Sequence, residues 1–270
     1  MIRKIGFLSV LCFTMITTGC SNGINTTLSN KPVSVIEKEN PPEEFVPKTL
    51  NVVGIGDSLT KGVGDNMDEG GYLGRVSKLL KQDDTIKDIN LTNYGVKGHK
   101  TTNLLKKLEE EEVASSLKEA DLIFMTIGGN DIMNVVKQNI LSLDFKPFRE
   151  EQINYVRNFN KIVDTIRSYN PDVKIVYSGL YNPFKFLLPE LTEIDNIVSE
   201  WNLSSSEILA NDSNSLYVPV EDIFANATDN KLLDKEDEFH PNGIGYSLMA
   251  DRIYEALTEE QDDLIEKSDE

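Results

Sequence analysis

The chain has 270 residues, with 45 Asp and Glu against 27 Lys and Arg, and a formal net charge of −18. That balance argues against a nucleic-acid ligand and against electrostatic docking on anionic lipid. Only two cysteines occur, Cys12 and Cys20, so no thiolate metal cluster is available, and removal of a segment containing Cys12 would also exclude an internal disulfide.

The N-terminus reads as a targeting segment. Arg3 and Lys4 precede an apolar run from Ile5 to Ile16, and Thr17-Thr18-Gly19 supplies small residues before Cys20. The run is too short to span a bilayer, which takes about 20 apolar residues. Residues 1–20 are therefore expected to be a signal peptide. Gly19-Cys20 after the apolar run resembles a bacterial lipobox, although Thr17 stands where that pattern usually has Leu. The resemblance implies acylation of Cys20 and an exported chain anchored by lipid on the outer side of the cell membrane, with plain secretion as the alternative. Residues 21–48, rich in Asn, Thr, Ser, Pro and Glu, read as a flexible linker. One globular domain is expected over residues 49–258, and residues 259–270 read as a frayed acidic tail.

Within the domain, strands and helices alternate. Leu50–Ile55 is a short Val- and Ile-rich run ending in Gly56-Asp57-Ser58, the pattern of a buried parallel strand. Further strands are predicted at Leu91–Tyr94, Asp121–Ile127, Val173–Ser178 and Leu216–Val220. Between them, Ile153, Val156, Asn160, Val163 and Ile166 recur three or four apart and predict a helix with that stripe on the core. Ile194, Ile197, Val198, Trp201, Ile208 and Leu209 predict another, and Tyr246–Leu257 a closing helix. Five strands alternating with helices imply an α/β fold, a parallel sheet with helices on both faces. In such sheets the ligand site lies beyond the carboxyl ends of the strands, where the polar motifs of this sequence also fall.

Ser58 follows the first strand directly, so its hydroxyl and backbone N–H would project from the sheet edge. By itself the position is more often that of a helix N-cap, and the G-x-S-x-G elbow is absent. His240, one of two histidines, has Asp237 three residues before it. In a turn that acid would hold the second ring nitrogen and fix the tautomer of a base; a surface or capping role is the plain alternative. His99 lies among lysines with no such acid and reads as a loop residue. Asn130, in Gly128-Gly129-Asn130-Asp131, could donate to an oxyanion or serve a turn. Gly95 ends the second strand and could bring its N–H near a ligand. Tyr181–Pro189, aromatic and aliphatic residues between prolines, could line an acyl pocket or pack back on the core.

Together and in this order, Gly56-Asp57-Ser58-Leu59, Gly95, Gly128-Gly129-Asn130-Asp131 and Asp237-x-x-His240 resemble the four blocks of the SGNH hydrolase superfamily, the GDSL esterases/lipases. The resemblance runs from Leu50 to Leu257. It implies a flavodoxin-like three-layer α/β/α sandwich around a five-stranded parallel sheet, without metal or organic cofactor. It implies Ser58 as nucleophile, His240 as base, Asp237 as its orienting acid, and an oxyanion hole from the N–H groups of Ser58 and Gly95 and the Asn130 amide. The substrate implied is a small-molecule or lipid ester. Deacetylation or acyl transfer on envelope carbohydrate would use the same residues, and a non-catalytic envelope binding protein is the reading from a different class.

Overall fold

The computed structural model describes residues 46–139, 145–185, 193–227 and 229–268, the last eight as backbone only. The signal peptide, Cys20, nearly all of the linker and Phe186–Pro189 lie outside the described residues.

The strands are β1 (Lys48–Gly56), β2 (Ile86–Gly95), β3 (Leu122–Thr126), β4 (Lys174–Ser178) and β5 (Ser215–Val218). The helices α1 (Ser58–Lys61) and α2 (Gly71–Leu80) lie between β1 and β2, and α3 (Thr101–Leu108) and α4 (Glu111–Lys118) lie between β2 and β3. Next come α5 (Gly129–Asn139) and α6 (Phe145–Tyr169) before β4, then α7 (Glu193–Leu209) before β5, and finally α8 (Glu221–Ala225) and α9 (Gly243–Ser268). All strand pairs are parallel, in the order β2-β1-β3-β4-β5. This is the flavodoxin-like order of the expected α/β sandwich, with its topological switch at the carboxyl ends of β1 and β3.

Strand periodicity sorts the core into two layers. Val53, Ile55, Ile123, Met125, Ile175 and Tyr177 pack in one cluster with residues of α3 to α7. Their neighbours Val52, Leu122, Phe124, Val176 and Val218 pack on the other face with α2, α8 and α9. The predicted strands match within a few residues except β2, which begins at Ile86, five residues before the predicted Leu91. It is an edge strand with a mostly exposed sequence, IKDINLTNYG, held by its ladder to β1 rather than by burial.

Two expectations are corrected. The buried stripe of α6 is Phe148, Tyr155, Phe159, Ile162, Val163 and Ile166, while Ile153 is 68 % exposed and Asn160 faces solvent. The β-branched residues suggested one register, but the larger aromatic areas of Tyr155 and Phe159, stacked with Trp201 and edge-on to Tyr177, set the face that is buried. The chain after Thr258 does not fray: α9 continues in helical geometry to Ser268. The acidic sequence of this segment has no apolar period, yet backbone hydrogen bonding needs none.

Candidate active site

At the end of β1 the chain passes against β3 at Gly56, where φ is +132° and a Cβ would lie 1.9 Å from the Thr126 carbonyl oxygen. Only glycine fits there. Asp57 then caps α1, its Oδ1 accepting the Leu59 N–H at 3.0 Å and the Thr126 hydroxyl at 2.7 Å. Ser58 is thereby relieved of the capping role that its position suggested. Thr60 fastens the same helix from below, bonding Thr126 Oγ1 at 2.7 Å, Tyr72 Oη at 3.0 Å and the Ile55 carbonyl at 3.0 Å. Ser58 is buried within this frame.

His240 arrives from the far end of the sequence. Its Nε2 lies 2.9 Å from Ser58 Oγ, and its Nδ1 lies 2.5 Å from Asp237 Oδ2. Asp237 Oδ1 also accepts the N–H groups of Phe239 and His240, each at 3.0 Å. Those bonds outweigh partial burial and hold the Asp237 carboxyl below the usual carboxylate range. A carboxylate on Nδ1 fixes the tautomer that leaves the Nε2 lone pair facing the serine. The turn is seated on Gly64, where a Cβ would come within 2.9 Å of His240 Cβ. It leads into α9 through Asn242, whose Oδ1 accepts the N–H groups of Ile244 and Gly245. The loop before α2 closes on the same place: Tyr246 donates to the Val63 carbonyl, Gly243 N–H donates to Asn66 Oδ1, and the buried Asp65–Arg75 pair reaches Ser247.

Asn130 stands in the first turn of α5, and its Nδ2 donates to the His99 carbonyl at 3.0 Å. The neighbouring Asp131 is buried and accepts both the N–H and the hydroxyl of Thr101, at 3.0 and 2.7 Å. The chain after β2 is thus tied to the first turn of α5 at two residues, Asn130 and Asp131. Burial raises the Asp131 carboxyl to about 6 against the hydrogen bonds from Thr101, and burial raises Asp57 to about 7 against those from Thr126 and Leu59.

Gly95, the expected second oxyanion donor, has its N–H engaged elsewhere in the structure. Its N–H donates to Asn93 Oδ1 at 2.8 Å, and its Cα packs against the backbone of α1, 2.4 Å separating an added Cβ from Lys61 N. Asn93 in turn donates to the Thr60 carbonyl at 2.8 Å, so the pair braces the serine helix. Three residues on, Gly98 has φ +85° with open space beside its Cα, and its N–H makes no backbone hydrogen bond among the described residues. Gly98 is not among the residues that the sequence motifs single out; its one signal in the chain is the second glycine of Gly95-x-x-Gly98. His99 joins the site through its carbonyl and not its ring, whose Nδ1 is buried without a partner, and burial followed by Lys107 lowers its pKa.

Phe239 carries no sequence signal of its own, whereas Tyr181 belongs to the candidate acyl loop. Tyr181 donates to the Phe239 carbonyl at 2.7 Å, and the Phe239 ring meets both Phe184 and His240 edge-on. Beside Ser58 opens a cavity of about 50 Å³ bounded by the start of α5, α7 and the segment after β4. Among the described residues no cluster of three His, Cys, Asp or Glu could hold a metal ion.

A family model described as GDSL-like lipase/acylhydrolase matches residues 55–248. The chain is 40 % identical over 223 residues to the uncharacterised protein YpmR of Bacillus subtilis, spanning 83 % of this chain and 87 % of that one. It is 26 % identical over 213 residues to the spore germination lipase LipC of Bacillus licheniformis, spanning 76 % and 95 %. Among solved structures, the lipase Lip_vut3 from a goat rumen metagenome superposes with a TM-score of 0.69 at 25 % identity, over 77 % of this chain and 97 % of that one. The chain belongs to the GDSL-like lipase/acylhydrolase family and is a hydrolase of ester bonds.

Proposed function

We propose that Ser58 is the nucleophile of this hydrolase, His240 its general base and acid, and Asp237 the group that orients and stabilises the imidazole. The observation that carries this reading is the continuous chain from Asp237 Oδ2 through both nitrogens of His240 to Ser58 Oγ, with bonds of 2.5 and 2.9 Å, between residues 182 apart in sequence. As Ser58 Oγ attacks the ester carbonyl, its proton passes to His240 Nε2. The oxyanion is stabilised by the Ser58 N–H, the second N–H of the Asn130 amide and the N–H of Gly98, the last taking the part first expected of Gly95. His240 then protonates the leaving alkoxide. Water, losing a proton to the same nitrogen, attacks the acyl-serine, and Ser58 departs with that proton as the carboxylic acid is released.

The test is labelling with a fluorophosphonate probe alongside hydrolysis of an aryl ester. The wild-type protein should label and turn over, and Ser58→Ala should lose both. Activity surviving within about tenfold in Ser58→Ala would sink the assignment, since loss of a triad nucleophile costs on the order of 10⁶. Absence of labelling in the wild type would favour a non-catalytic binding protein.

We further propose export and acylation of Cys20, a reading that rests on the sequence of residues 1–20 alone. Metabolic labelling with a fatty acid should mark the wild type and not Cys20→Ser.

A further inference from the structure

We propose that the cavity beside Ser58 takes the acyl half of the ester, and that the preferred substrate carries a linear apolar acyl chain longer than acetyl, not an acetylated carbohydrate. The proposal rests on the roles of Ser58 and His240 given above. Three substituents surround the carbon that Ser58 attacks: the oxyanion, the leaving oxygen and the acyl group. The leaving oxygen must lie beside His240 Nε2 to receive its proton, and the oxyanion beside Asn130. Ser58, Gly129 and Asn130 line the cavity but His240 does not. The remaining substituent, the acyl group, is therefore the one that enters.

The walls fix what it can be. Ile132 and Met133 of α5, Ile194 and Val198 of α7, and Leu180 and Phe184 after β4 face the space. Met133, Phe184 and Phe239 are half-buried, so these apolar lining groups have surface left to cover, whereas Ile132, Leu180, Ile194 and Val198 are buried members of the core. The polar side chains that reach the cavity are largely committed. Thr126 donates to Asp57, Asp57 also accepts from Leu59, and Tyr181 donates to the Phe239 carbonyl. Ser58 and Asn130 are used by the reaction itself, which leaves Ser178, buried at the end of β4, and the second carboxyl oxygen of Asp57. A sugar ring brought here would surrender several hydroxyl bonds to water and find at most two side-chain partners, at roughly a tenfold loss in affinity for each bond not remade. An alkyl chain loses nothing comparable and gains about fourfold for each methylene buried.

The experiment compares kcat/KM of the purified protein on p-nitrophenyl acetate, butanoate, hexanoate and octanoate, and on tributyrin against glucose pentaacetate. The wild type should gain about fourfold per methylene beyond acetate until the chain outgrows the cavity, and tributyrin should be turned over faster than glucose pentaacetate. Met133→Trp, at a half-buried position, should lower the hexanoate-to-acetate ratio at least tenfold. Ile194→Ala should move the best chain to a longer one, which serves should the first variant fail to fold. A flat series in the wild type, a ratio unmoved in both variants, or glucose pentaacetate as the better substrate would overturn the proposal while leaving the Ser58 assignment intact. No hydrolysis and no fluorophosphonate labelling in the wild type would instead remove the assignment on which it rests.

Discussion

Asp57 is a carboxyl group that the fold stabilises in its protonated form, and replacing it by asparagine should change how stability depends on pH. The group is 3 % exposed, and burial lifts it from 3.8 to about 7 despite two hydrogen bonds that favour the anion. At 1.36 kcal/mol per pH unit the rise corresponds to about 4 kcal/mol at most. The folded chain holds this proton more tightly than the unfolded one. Its stabilising contribution is therefore full below about pH 4 and is lost as pH rises through about 7. Both bonds from the protein, Leu59 N–H and the Thr126 hydroxyl, fall on Oδ1, an oxygen that asparagine keeps. Asp57→Asn should therefore match the wild type near pH 4 and exceed it by up to about 4 kcal/mol at pH 8. Urea unfolding of both proteins at intervals from pH 4 to pH 8 measures the difference. Asp131, raised to about 6, titrates in the same sense, but it is present in both proteins and leaves the comparison to Asp57. Parallel stability curves across that range would refute the reasoning.

Asn130→Ala should fold normally, because the side chain makes one hydrogen bond, and should lose about 10² to 10³ in kcat with little change in KM, read from steady-state kinetics. The two glycines of the β2 loop should separate stability from activity. Gly95→Ala drives a Cβ into the α1 backbone at 2.4 Å and should lower the unfolding midpoint. Gly98→Ala meets open space and should cost only about 1 kcal/mol of strain at its φ of +85°, its larger effect being on turnover. Asp65→Asn breaks an ion pair whose side chains are 3 % and 6 % exposed, and should cost about 3–5 kcal/mol by chemical denaturation.

The strands at the centre of the sheet could be read from the chain because β1, β3 and β4 are buried on both faces, and burial demands unbroken runs such as LIFMT and KIVYS. The outline of the site was legible for a related reason. A parallel sheet delivers the residues after its strands to one edge, so the chain order alone places Ser58 after β1 and Asn130 after β3 together. The edge strand β2 was under-read because its hydrogen bonds to β1 leave little trace in its side chains. The face of α6 was misread because aromatic packing from α7 and β4 outweighed the β-branched pattern.

By itself, then, the sequence determined the layer order, the approximate strands and the residue types available for acyl chemistry, since those follow from local periodicity and short motifs. What required the tertiary structure was every relation between distant segments. Asp57 and not Ser58 caps α1 because Thr126 of a neighbouring strand reaches the same carboxyl oxygen. Gly95 has no N–H to spare because Asn93 folds back onto it. His240 comes within 2.9 Å of Ser58 because the loop from Gly62 to Gly70 is laced to the first turn of α9. Such contacts depend on side chains packed from several elements at once, and no window of sequence contains them.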